Sequence, residues 1–440
     1  MQRKFKNQLL AIFLIVQFVI PFSLSAQTSF FKLKNFYNFN GSSGDFNVNF
    51  KGDIKVADDD KSITSISEGG FLEIEKKTFG NSRKLNIYPN STGTLVYEYK
   101  EGSSKINFEP NGRKWMEEIL PDVIRNTGID IEGRVKRIYT NNGINGILNE
   151  IKSVESDFVA SKYYKVLITQ EQLTDSEFKL AIIALSNTVS SDFEKSNVLS
   201  SVSTFYIKDN ALTEAYLTTV SALSSDFEKS KVLKNLEIEN LIESQLINFL
   251  HTTSTINSDF EKSGVLRYVL SKKVLTENTF LLTIKVNDDI NSDFEKSKNY
   301  EVMLSKTPNE NILTEIFNAA RNINSDFEKG NVLKNAADNI KPSSTSLDAY
   351  FQAINSMNSD FEHSGVLKAI IKKYSTDEAL YIRILNSASM LNADFEKSNV
   401  LSLAVVKMPK TDKVKEEYIK TAKTINSSFE IDNAMKAINQ

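Results

Sequence analysis

Residues able to do acid–base, nucleophilic or metal chemistry are few in this chain. Its 440 residues include no cysteine and two histidines, His251 and His363. Thiolate zinc sites, cysteine nucleophiles, disulfides and iron–sulfur clusters are therefore excluded. His251 lies among Phe249, Leu250 and Thr252, which reads as a partly buried helix position. His363 fills a slot held elsewhere by Lys195, Lys229 and Lys262, which reads as solvated surface. The two histidines give no i, i+4 ligand pair, and no G-x-S-x-G elbow, P-loop or G-x-G-x-x-G loop occurs. Asp58-Asp59-Asp60 is the best metal candidate, as a weak calcium turn or simply a solvated acidic one, because it lacks the alternating spacing of a calcium loop. The expectation is a non-enzyme without cofactor or resident metal.

One constellation does recur. Ser-Asp-Phe-Glu-Lys-Ser-x-Val-Leu repeats with its aromatic at Phe158, Phe193, Phe227, Phe260, Phe294, Phe327, Phe361, Phe395 and Phe429, at intervals of 33 to 35 residues. So fixed a period is the mark of a repeat architecture. Ser191, Asp192, Phe193 and Glu194 read as a capping box, the hydroxyl accepting the Glu194 amide and the glutamate reaching back to the serine amide. In the eighth copy Ala393 replaces the cap serine, at a cost of about 1 kcal/mol. The stacked aspartates, from Asp192 to Asp394, are either helix caps or a functional acidic edge. If the phenylalanines are core, Phe260→Ala costs about 3–5 kcal/mol. If they are exposed, they form a binding stripe.

The elements that position this motif follow from hydrophobic spacing. Val198-Leu199, Val232-Leu233 and Val265-Leu266, each with an apolar residue three further on (Val202, Leu236, Val269), mark the buried stripe of a first helix. A second series, Ile183, Leu217, Leu250, Ile284, Phe317, Phe351, Leu385 and Ile419, marks a second helix, with breakers such as Lys208-Asp209-Asn210 and Lys341-Pro342-Ser343-Ser344 between the two. An apolar residue two before each cap, Val189 to Ile425, packs the turn. One such hairpin cannot bury its apolar face alone, so neighbours must stack. The tetratricopeptide and ankyrin signatures are absent, so HEAT-like stacking is the better description.

The N-terminal third has another texture. Phe46–Phe50, Phe71–Glu75, Lys84–Tyr88 and Leu95–Tyr99 alternate between Gly-, Asn- and Pro-containing turns, predicting an antiparallel meander of five or six strands. Between Arg113 and Ser156 the pattern turns helical, with Trp115, Ile119, Leu120, Val123 and Ile124 on one face. The fold class is thus α+β: a β-rich domain over 27–110, linking and capping helices over 111–155, and a solenoid of about eight to nine 34-residue helix pairs over 156–440.

The first residues read as a secretory signal, with basic Arg3, Lys4 and Lys6, an apolar run from Leu9 to Ile20, and small residues before Gln27. Twelve apolar residues fall short of the roughly 20 that span a bilayer. Cleavage after Ala26 would take the net charge from −3 to −6 and leave a periplasmic or secreted chain. A mildly acidic chain argues against nucleic-acid binding.

The stretch Ser67–Glu75, the segment Arg113-Lys114-Trp115 through Leu120-Pro121, and the run Arg125–Val135 resemble a group of exported bacterial proteins. In that group a small β domain precedes Ser-Asp-[Phe/Tyr]-x-[Lys/Arg]-x-x-x-Leu repeats. Some of its members are linked to membrane zinc metallopeptidases of the β-lactam-sensor kind. The resemblance covers nearly all of the chain after the leader and implies architecture. It carries no protease function, because HExxH and a bundle of spans are missing. The expected function is an exported scaffold binding a protein or peptide partner in the cell envelope, with Tyr216, Tyr350, Tyr381 and Tyr418 as contact points or core. The alternative is a sensory or regulatory module of a membrane metallopeptidase or envelope-stress system.

Overall fold

The computed structural model describes residues 35–41, 44–78, 80–201, 209–341, 344–374 and 376–438. The expected leader, Val202 and the turn residues Lys208, Pro342 and Ser343 lie outside them. The chain divides into two units.

The first unit, residues 35–53 with Ser65–Phe108, is an antiparallel sheet. Its strands are β1 (Asn35–Gly41), β2 (Gly44–Lys51), β5 (Phe71–Thr78), β6 (Asn81–Pro89), β7 (Leu95–Glu101) and β8 (Ser104–Ile106), paired in that order. Strand alternation puts Phe46, Val48, Leu72, Ile74, Leu85, Ile87 and Tyr99 in the core. The meander is interrupted between β2 and β5 by residues 54–64, part of a ribbon of β3 (Ile54–Val56) and β4 (Ile63–Ile66). The neck of this insertion is closed where Ser67 Oγ accepts the Asp53 amide at 2.9 Å and the Ser67 amide donates to the Asp53 carbonyl at 2.8 Å. Gly70 is required there, since a Cβ would sit 2.6 Å from the Lys51 carbonyl oxygen.

The insertion itself belongs to the helical unit, a departure from the unbroken 27–110 boundary. That unit opens with α1 (Arg113–Thr127) and α2 (Ile131–Ile151). Eight helix pairs follow: α3 (Asp157–Gln170) with α4 (Asp175–Thr188), α5 (Asp192–Ser200) with α6 (Asn210–Ser221), α7 (Asp226–Lys234) with α8 (Glu243–Ser254), and α9 (Asp259–Lys272) with α10 (Glu277–Asp288). The series continues with α11 (Asp293–Leu304) and α12 (Glu310–Ala320), α13 (Asp326–Ala336) and α14 (Leu347–Asn355), α15 (Asp360–Lys373) and α16 (Glu378–Ser389), and α17 (Asp394–Lys407) and α18 (Asp412–Ala422). A last helix, α19 (Ser428–Ile438), packs on α17 and α18.

First helices contact first helices and second contact second, so the array is a two-layer solenoid. The Val-Leu pairs of the first helices and the turn residues from Val189 to Ile425 are buried between the layers. The second-helix series is buried too, except for exposed Ile183 and half-buried Ile419. No helix among the described residues is long and apolar enough to cross a membrane.

Candidate functional site

Taken residue by residue, the motif separates into structural parts and one remainder. The cap serine works as expected: Ser191, Ser225, Ser258, Ser292, Ser325, Ser359 and Ser427 each accept the amide three residues on, at 3.3–3.4 Å. The glutamate does not complete the box. The serine amide is taken instead by the aspartate of the preceding repeat. Asp157 accepts the amides of Ser190 and Ser191, Asp192 those of Ser224 and Ser225, and Asp226 those of Asn257 and Ser258. Asp259, Asp326, Asp360 and Asp394 do the same for their successors, and Asp293 accepts the Ser325 amide alone, at 2.6–3.1 Å throughout. The aspartate ladder is thus a row of clips between repeats, one at each of the eight junctions.

The freed glutamate turns backward. Glu194 accepts the Ser161 hydroxyl at 2.7 Å, and Glu228, Glu328 and Glu396 accept those of Ser196, Ser297 and Ser364. Where Gly330 replaces that serine, Glu362 pairs with Lys334 at 2.7 Å. These five junctions are held in both directions by charge-assisted hydrogen bonds.

The lysine slot is not solvated, which overturns the surface reading of His363. Lys195, Lys229 and Lys262 are buried, and Lys229 Nζ donates at 3.2 Å to the Thr255 carbonyl that ends α8. Lys397 reaches the Thr424 carbonyl at 3.1 Å in the same way. These cations complement the negative C-terminus of the partner helix. His363 fills the same buried slot but as a neutral ring, its Nε2 lying 2.8 Å from Ser387 Oγ on α16. Burial pushes its pKa down to about 4, against the pull of Asp360 and Asp326. His251, expected to be partly buried, is instead exposed on α8.

The four tyrosines offered as contact points are core. Tyr216 and Tyr350 donate to the Leu199 and Leu333 carbonyls of their partner helices, Tyr381 to Tyr374, and Tyr418 to Ala434. A satisfied hydroxyl lets a large ring be buried whole. Burial raises all four pKa values, those of Tyr381 and Tyr418 to about 12.

What remains is the phenylalanine. All nine stand on the surface, from 47% exposed at Phe158 to 69% at Phe429. Three lie near a lysine ammonium: Phe158 with Lys162 at 4.0 Å, Phe193 with Lys231 at 5.3 Å and Phe294 with Lys298 at 5.8 Å. An exposed cation–π contact is worth about 0.5–1 kcal/mol, so these do not explain nine aromatics in solvent. The Phe260 question is settled by exposure at 65%. The ladder is a stripe along one layer of the solenoid.

The acidic triplet at 58–60 is not a calcium turn. Asp60 pairs with Arg134 at 2.7 Å and Arg137 at 3.1 Å, while Asp59 accepts the Lys61 amide. Arg134 is buried and also meets Glu150 at 3.0 Å and the Tyr163 hydroxyl at 2.7 Å. Burial opposes its charge, but Tyr163, Glu150 and Asp60 outweigh it and its pKa is raised. This arginine ties the insertion to α2 and α3, a role carried by no motif. Among the described residues, no group of three or more histidine or carboxylate side chains is placed to hold a metal ion.

The chain matches no protein-family model, and no curated protein matches it.

Proposed function

We propose that the chain is a non-enzymatic, exported scaffold whose phenylalanine stripe docks a polypeptide partner in extended form. The observation that carries this is the nine-fold exposure of the one motif residue with no part in joining the repeats. Burying a phenylalanine fully is worth about 1.5–3 kcal/mol, so leaving each half exposed forgoes on the order of 1 kcal/mol. Solenoids present extended surfaces of this kind to partners. Neighbouring first helices stand about 8–10 Å apart. A polyproline-type strand rises about 9 Å over three residues, so one apolar side chain in three meets successive rings.

Random-peptide display on the intact chain, followed by affinity measurement, tests the reading. Enriched sequences should carry apolar or proline residues at every third position. Replacing Phe227, Phe260 and Phe294 together by serine should abolish their binding while shifting Tm by no more than a few degrees. If no peptide enriches, or if the triple variant binds as well as the parent, the stripe is not the docking surface.

A further inference from the structure

The turns joining first to second helices carry a different feature. Between the α9–α10 turn (residues 273–276) and the α11–α12 turn (residues 305–309) lies a cavity of about 380 Å³. That is the lower end of the range for small-molecule sites. Its floor is apolar: Leu270, Phe280 and Ile312 are all buried core residues. On the rim, Val274 is 94% exposed, an apolar side chain held in solvent beside an apolar cavity.

The lining is also charged with one sign. Lys272, Lys273 and Lys306 border the cavity and no Asp or Glu does, in a chain where acids outnumber bases. Two of these cations are engaged. Lys273 donates to the Glu239 and Leu241 carbonyls at 2.6 and 2.7 Å, and Lys272 stands 3.6 Å from the Glu239 carboxylate. Glu277, near the rim, is held by the amides of Asn309 and Asn311. Among the described residues Lys306 alone of the three has neither ion pair nor side-chain hydrogen bond.

The residue after it is strained. Thr307 has φ of +51°, and it is the only β-branched residue among the described ones with a positive φ. Such backbone persists where the surroundings over-determine it, and ligand clamps are one such setting. Here it aims the Lys306–Pro308 segment along the cavity wall.

We infer that this cavity is a binding site for an amphiphilic monocarboxylate, its chain on Leu270, Phe280 and Ile312 and its carboxylate on Lys306. One uncompensated cation matches one negative charge. The site is independent of the phenylalanine stripe and of any reading of it.

Calorimetric titration of the full chain with decanoate, decylammonium and acetate tests the assignment. Decanoate should bind once per chain with Kd on the order of 10–100 μM, and the other two should not bind. Lys306→Gln should weaken decanoate about tenfold, as should Val274→Asp at the rim; both side chains are exposed, so Tm should hold. Equal affinity for decylammonium, an isotherm unchanged by both substitutions, or no decanoate binding would each overturn the inference.

Discussion

At the scale of single residues, His363 is the most informative position. It stands where other repeats carry a buried lysine, and its imidazole is held neutral. Its folded pKa of about 4 lies below the ordinary 6.5, so the unfolded chain binds the extra proton between those values. Its contribution is complete above pH 6.5 and declines as pH falls toward 4. The loss by pH 4.5 is on the order of 2–3 kcal/mol. His363→Gln keeps a hydrogen-bonding side chain without the titration. Urea unfolding at pH 7.5 and 4.5 should therefore show the parent losing about 2–3 kcal/mol more than the variant. Equal losses would place the acid sensitivity elsewhere. The burial of this slot was not legible from residue type, because a lysine in a polar motif reads as surface. The exposure of the phenylalanines was legible. At about 100° per residue, the Val-Leu pair five and six positions on centres about half a turn away from the phenylalanine. Helical geometry alone puts the ring opposite the core. The tyrosines were legible too: Tyr216, Tyr350 and Tyr418 share a column with Phe249, Ile316 and Ile384, and Tyr381 shares one with Leu246, Phe280 and Leu313.

At the scale of elements, the helix N-terminus is where repeats are joined. From α5 onward each first helix spends its cap serine on its own amide and hands its serine amide to the neighbour's aspartate. Helix α17 lacks the first of these bonds, because Ala393 has no side-chain acceptor. It keeps the second, since the Ala393 amide donates to Asp360 at 2.6 Å. Ala393→Ser should restore the bond to the Glu396 amide and raise stability by about 1 kcal/mol. The midpoint of chemical unfolding should move while its slope does not. An unchanged midpoint would mean that the clip alone suffices to end that helix. The serine cap was readable from local pattern, whereas the clip was not. Both a capping box and an inter-repeat bond satisfy the same amide with a carboxylate, and only the spacing of the stack chooses between them.

At the scale of the whole molecule, near-identical junctions make stability close to a sum over neighbours. Excising residues 293–325, a full repeat, joins Ser292 to Asp326 and recreates the motif at the seam. The shortened chain should stay folded, with helical circular dichroism reduced in proportion and Tm lower by only a few degrees. Removing α11 alone should instead leave one apolar layer uncovered and give aggregation on size-exclusion chromatography. Comparable behaviour of the two deletions would contradict a modular array. The α+β division, the period, the helix starts and the meander were all readable before folding, because each rests on short-range patterns of apolar spacing and turn chemistry. The sequence did not reveal the aspartate clips, the backward-reaching glutamates, the buried lysine slot, or Arg134 binding Asp60 of the insertion. Those join atoms about 25 to 75 residues apart along the chain. Partners so distant are chosen by the layer spacing of the folded stack and by the need to satisfy every buried charge, which only the tertiary structure decides.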